Sequence, residues 1–185
     1  MNRIKLPIRI LLITVIVLLY SNITPAQLRV AAGGFVGGGF IQGNSPSLGS
    51  FSYSLFIETN TALFSEVMPR LSFIFAKDFN AIVPNVEKPY FPFVQGINFK
   101  GVTTQYFESK IFLEEGVGLL ALNDRTFSDT DNWSYGIVLS INGGWDLRGF
   151  ELSGFKIGAG AEYGLTFINA LPSYSSIHLF VHYTF

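Results

Sequence analysis

The chain ends Ile177-His178-Leu179-Phe180-Val181-His182-Tyr183-Thr184-Phe185, and the reading of these nine residues decides the fold. Ile177, Leu179, Val181, Tyr183 and Phe185 share one face of an extended chain. Ser176, His178, Phe180, His182 and Thr184 share the other. Successive strand side chains point to opposite faces, so this is a strand with one apolar side and one mostly polar side.

The same period runs back through the chain. In 155–167, Phe155, Ile157, Ala159, Ala161, Tyr163, Leu165 and Phe167 oppose Lys156, Gly158, Gly160, Glu162, Gly164 and Thr166. In 134–147, Tyr135, Ile137, Leu139, Ile141, Gly143, Trp145 and Leu147 oppose Ser134, Gly136, Val138, Ser140, Asn142, Gly144 and Asp146. In 51–58, Phe51, Tyr53, Leu55 and Ile57 alternate with Ser52, Ser54, Phe56 and Glu58. Four weaker stretches complete a set of eight: a Gly-rich 28–42, then 70–77, 97–107 and 111–122. The pattern changes phase near Gly101, which predicts a bulge there. Connections fall near 43–50, 59–69, 78–96, 108–110, 123–133, 148–154 and 168–174, predicting longer loops at one end and tighter turns at the other.

Composition says what surrounds these strands. Hydrophobic residues make up 49% of the 185 and charged residues only 14%. A soluble domain carries about 25% charge, and a disordered chain is far less apolar. The formal charge of −1 offers no basic footprint for nucleic acid. With no cysteine, disulfides, thiolate metal sites, a cysteine nucleophile and a lipidated cysteine anchor are all excluded.

Residues 1–26 read as a secretory signal peptide. Arg3, Lys5 and Arg9 are its basic start, Ile10 to Tyr20 its apolar core, and Thr24 and Ala26 the small residues before a cleavage at Gln27. The apolar core is shorter than the roughly 20 residues of a spanning helix. Cleavage removes three of the twelve Lys/Arg and none of the thirteen Asp/Glu, so residues 27–185 carry a formal charge of −4. They form one domain with no apolar run long enough for a transmembrane helix.

Alternation also fits a soluble eight-stranded carrier of the lipocalin kind, in which apolar side chains point inward. Here charge is too scarce to clothe a soluble exterior, so the apolar face is predicted to face lipid and the polar, Gly-rich face to fill the lumen. The expected fold is all-β: an eight-stranded antiparallel up-and-down transmembrane barrel, closed so that lipid meets no unpaired backbone. Tyr53, Tyr106, Trp133, Tyr135, Trp145, Tyr163 and Tyr183 are expected in aromatic girdles.

The terminal strand, with Gly116-Val117-Gly118 and Gly158-Ala159-Gly160-Ala161-Glu162-Tyr163, resembles the small outer-membrane barrels of the OmpA transmembrane-domain and OmpX type. The resemblance covers 27–185 and is architectural. It implies an outer-membrane location, both termini in the periplasm, and partners in the outer-membrane lipids and the barrel assembly machinery. On the same ground Val181, Tyr183 and Phe185 resemble the C-terminal signal read by that machinery. No peptidoglycan-binding domain is expected after Phe185.

By phase, Arg29, Glu58, Arg70, Glu114, Asp146, Lys156 and Glu162 face the lumen together with His178 and His182. They are expected to form an ion-pair network, because a buried charge must be paired. His178 and His182 are about 13 Å apart along a strand, too far to share one metal. A lipid-modifying enzyme would need one of them beside Ser140 or Glu162, and the His-x-Ser-Asn pattern of lipid A deacylases is missing. The Asp124–Asn132 loop lacks the Gly and terminal Glu of a calcium loop. No cofactor, metal or catalytic residue is assigned. The Pro-rich loop holds Tyr90, Phe91 and Phe93 as an expected exposed contact patch for an unknown surface ligand. Glu115 has the phase of a lipid-facing residue. The expected role is structural or surface contact through extracellular loops by a monomer, without an open pore.

Overall fold

Strand β8 (Ser173–Thr184) closes the molecule by pairing antiparallel with β1 (Arg29–Gln42), from Ala31↔Thr184 to Gln42↔Ser173. Between them lie β2 (Leu48–Asn60), β3 (Met68–Asp78), β4 (Phe93–Phe107), β5 (Ile111–Arg125), β6 (Asn132–Asp146) and β7 (Gly154–Thr166). Each pairs antiparallel with its sequence neighbours, giving a closed up-and-down barrel of eight strands. The computed structural model describes residues 29–60, 66–84, 86–108, 110–149 and 151–185. The predicted signal peptide lies outside the described residues.

The register defines the barrel's stagger. Partners run from Ala31 through Glu58, Arg70, Lys100, Gly118, Val138, Gly164 and Tyr174, and return to β1 at Ile41, ten residues beyond Ala31. That shear tilts the strands and leaves a lumen only wide enough for side chains. β1 begins and β8 finishes at one end, called here the near end; the first connection, between Gln42 and Leu48, lies at the opposite, far end.

Alternation holds around the whole barrel. Val36, Leu55, Leu71, Ile97, Leu119, Leu139, Ile157 and Leu179 are exposed on the outside. Ser52, Ser72, Asn98, Glu114, Ser140, Lys156 and His178 are buried inside. The predicted bulge at Gly101 is absent. β4 pairs without interruption with β3 and with all of β5, and its even-numbered residues from Val94 to Val102 face inward. The apolar Val102 sits on the inner face, which is what made the sequence pattern look shifted.

The loop asymmetry is weaker than expected. The far-end links, 43–47, 126–131 and 167–172, are no longer than the near-end links 61–67 and 147–153; only 79–92 is long. Tyr53, Trp133, Tyr135, Trp145 and Tyr163 stand exposed on the outside, and Tyr183 is half-buried there. Tyr106 does not join them, because its hydroxyl donates to Asp146 at the near-end mouth.

The lumen is polar only in part. Ile41, Ile74, Ala76, Val94, Leu120, Leu122, Val138 and Tyr174, none more than 2% exposed, belong to the far halves of their strands and pack as one cluster. This apolar plug closes the far end above two buried ion-pair layers, with the buried carboxylates Asp78 and Asp124 beyond it at the far-end rim.

Candidate functional site: a charged lumen with a near-end mouth

Arg70 on β3 organises the lower charge layer. Its register partner Glu58 accepts from Nε at 2.6 Å, and Glu114 on β5 accepts from a terminal guanidinium nitrogen at 2.8 Å. Lys156 on β7 donates to the other oxygen of Glu114 at 3.3 Å. The guanidinium lies 4.3 Å from the Phe56 ring centre, and the Lys156 ammonium 4.8 Å from that of Phe112. His182 stands between the two carboxylates, with Nε2 3.9 Å from Glu58 and Nδ1 3.8 Å from Glu114. A second layer lies further in. Lys100 pairs with Glu162, whose other oxygen accepts from the Tyr174 hydroxyl at 2.7 Å. His178 stacks on Phe35 at 3.8 Å and meets Asn142 at 3.0 Å through Nε2.

The structure therefore brings together Glu58, Arg70, Glu114, Lys156 and His182, and separately Glu162 with a cation the sequence reading missed, Lys100. The two layers hold three cations and three carboxylates, and each of these six charges has an opposite one at hydrogen-bond range. Such pairing is the condition for keeping charges out of water. Lys100 was missed because of the supposed phase change; extending the even phase of Asn98 would have placed it inward.

Three expected network members stand apart, and one of them is His178, which meets Asn142 and Phe35 and makes no ion pair among the described residues. Asp146 sits at the near-end rim, bound to Arg148 and to the Tyr106 hydroxyl. The hydrogen bond to that carboxylate raises the Arg148 guanidinium above its ordinary range. Arg29 has the inward phase of Ala31 but is the first residue of its strand. It is exposed at the mouth and makes no ion pair among the described residues, so its place in the buried network is corrected.

The other candidates resolve into packing. Ser140 Oγ has no hydrogen-bond partner, and Glu162 is held by Lys100 and Tyr174. Neither histidine is paired with a nucleophile among the described residues, and both are buried inside the barrel, away from the apolar exterior. Asp124 spends its carboxylate on the Asn44 backbone and side-chain amides and on the Thr126 amide and hydroxyl, tying two far-end loops together. The Asn123 amide, with Arg125, holds the Asp131 carboxyl below its usual range.

The expected exposed patch is also corrected. Tyr90, Phe91 and Phe93 are half-buried against the barrel. Tyr90 donates to the Arg125 carbonyl at 2.6 Å, Arg125 lies over Phe93 at 5.8 Å, and Lys77 over Phe91 at 5.6 Å. The exposed apolar residues of that loop are Phe79, Ile82 and Val83. Val181, Tyr183 and Phe185 line the exterior of the last strand, with Tyr183 packed on Phe155 at 4.7 Å and on Phe185 at 5.0 Å. Glu115 is exposed on the outside, between Thr103 and Ile141.

No family model matches the chain, and no curated protein matches it by sequence. Solved structures do match. The Neisserial surface protein A aligns with a TM-score of 0.64 at 10% identity, covering 84% of this chain and 96% of its own. Ail, the attachment invasion locus protein of Yersinia pestis, aligns with a TM-score of 0.51 at 10% identity, covering 86% and 99%. At that identity the likeness speaks for architecture alone: the chain has the closed eight-stranded barrel fold of the small outer-membrane proteins.

Proposed function

We propose that the protein is an integral outer-membrane barrel that acts through its far-end loops as a surface-contact protein, without conducting solute. In this reading residues 1–26 are a cleaved export signal. Both termini face the periplasm, the barrel assembly machinery reads Val181, Tyr183 and Phe185, and a monomer is held by outer-membrane lipids. The apolar exterior suits lipid, and a sealed lumen suits a protein whose work is at its ends.

The observation that carries the contact role is an apolar crown beyond the strands. Phe79, Ile82 and Val83 of one far-end loop, Phe127 of a second, and Phe167, Ile168 and Leu171 of a third are all exposed. Leu171 holds a left-handed backbone, φ 51°, while remaining 54% exposed. For a residue with a Cβ that conformation costs about 1–2 kcal/mol. The Pro172 carbonyl, accepting from the Thr166 amide and hydroxyl, helps hold the turn. Apolar side chains displayed at such cost suit a contact surface. The two aligned proteins are named for surface location and attachment, in line with this reading.

The test is a quadruple replacement, Phe79→Ser, Ile82→Ser, Phe167→Ser and Leu171→Ser. Cells producing the variant should attach to hydrophobic and host-cell surfaces no better than cells lacking the protein, while the barrel keeps its heat-dependent gel mobility. Undiminished attachment by a folded variant rejects the role.

A further inference from the structure

At the near-end mouth is a small pocket of about 170 Å³, whose lining includes Arg29, Glu58, Thr104, Arg148, Lys156 and His182. The apolar plug shuts off the far end, so this pocket is a blind recess opening beside the start of β1 and the finish of β8. Its charges are unequal. Four cations gather there or just behind it: Arg29, Arg70, Arg148 and Lys156. Three carboxylates answer them, with Glu58 and Glu114 on Arg70, Glu114 also on Lys156, and Asp146 on Arg148. Arg29 is left over, exposed and without an ion pair among the described residues.

Polar atoms in the recess are also unspent. His182 is 2% exposed, yet neither ring nitrogen makes a hydrogen bond; its carboxylate neighbours stay 3.8–3.9 Å away. The Thr104 hydroxyl is likewise buried without a partner. Buried polar groups are nearly always hydrogen-bonded, so such atoms lining a cavity mark a place for a polar guest. Glu58 does not make the recess acidic, because Arg70 already engages its carboxylate.

We propose that this recess binds a small oxyanion, a phosphate- or carboxylate-sized group. Arg29 supplies the charge that the protein leaves unmatched, Arg148 and Lys156 flank the group, and Thr104 and His182 donate hydrogen bonds to it. Charge-assisted bonds of this kind are the stronger ones, and an arginine suits a planar or tetrahedral oxyanion. The group can arrive free or attached to a larger molecule at the near end, since the chemistry recognised is the same.

The two histidines make the experiment direct. In the refolded chain in detergent micelles, inorganic phosphate or acetate is titrated while both imidazoles are followed by NMR. Saturable movement of the His182 signals, with those of His178 still, is expected. Preference for phosphate assigns the guest to phosphate-bearing ligands, and preference for acetate to carboxylate-bearing ones. Arg29→Gln should weaken binding about tenfold or more, as loss of a charge-assisted bond requires. Arg29→Lys should retain most of it, and both variants should keep the folded gel mobility. The proposal is overturned if neither anion gives saturation, if sodium chloride at equal ionic strength moves His182 equally, or if Arg29→Gln binds as well as the parent.

Discussion

Arg70 and Glu115 are both charged strand residues, but they face opposite media. Arg70 is buried between Glu58 and Glu114, and its removal leaves Glu58 without a cation and Glu114 with Lys156 alone. Arg70→Ala should cost about 3–5 kcal/mol, the range for breaking a buried pair from one side. Glu115 points outward between Thr103 and Ile141. A carboxylate on a lipid-facing surface is unfavourable, so Glu115→Leu should stabilise the barrel by about 1 kcal/mol. Urea unfolding in lipid vesicles measures both. A loss of stability in Glu115→Leu would mean that this carboxylate has a partner on the exterior. The inward phase of Glu58, Arg70, Glu114, Lys156 and Glu162 was legible in the sequence, because strand parity alone sets it. Which cation meets which carboxylate was not legible. That depends on the ten-residue stagger, which links strands distant in sequence.

Among the strands, glycines decide how closely neighbours approach. Gly144 on β6 faces Gly158 on β7. A Cβ on Gly144 would run into the Ile157 carbonyl, and one on Gly158 into the Gly143 carbonyl. Gly49, near the far end of β2, has open space around the same position. Gly144→Ala should therefore cost about 1–3 kcal/mol through overpacking, while Gly49→Ala should leave stability nearly unchanged. Equal effects in the same urea titration would show that the β6–β7 contact yields without strain. The small-residue face was readable as a period-two run of Gly in 134–147 and 155–167. Its reason, backbone approaching backbone, was not. Parity was less safe in β4, where the inward apolar Val102 and outward Thr103 mimic a slip. Loop packing was not readable either: Tyr90, Phe91 and Phe93 looked free only because Arg125 and Lys77, which cover them, come from other strands.

The whole molecule is polarised along its axis. Charged layers communicate with the near-end mouth, whereas eight apolar side chains close the far end. A filled lumen was expected from strand number; its division into a polar and an apolar half was not, because Leu120, Leu122 and Val138 share the inward phase with Ser and Gly. The chain has no cysteine, so a single introduced thiol reports access without ambiguity. Met68→Cys, which lines the near-end mouth, should react with a membrane-impermeant maleimide supplied from the near-end side only. Ala76→Cys, fully buried in the plug, should react from neither side, and Phe79→Cys, exposed in the far-end loop, from the far side only. A continuous aqueous pore would instead let the reagent reach Met68→Cys and Ala76→Cys from both sides. Labelling of folded Ala76→Cys would therefore sink the sealed-barrel account, and with it the argument that the protein acts at its ends. Truncating the plug, as in Leu122→Ala, makes the same thiol a graded probe. The cavity should cost about 2–5 kcal/mol, and Ala76→Cys should begin to react from the far side before it does from the near side, because the Lys100–Glu162 layer still stands between the plug and the mouth.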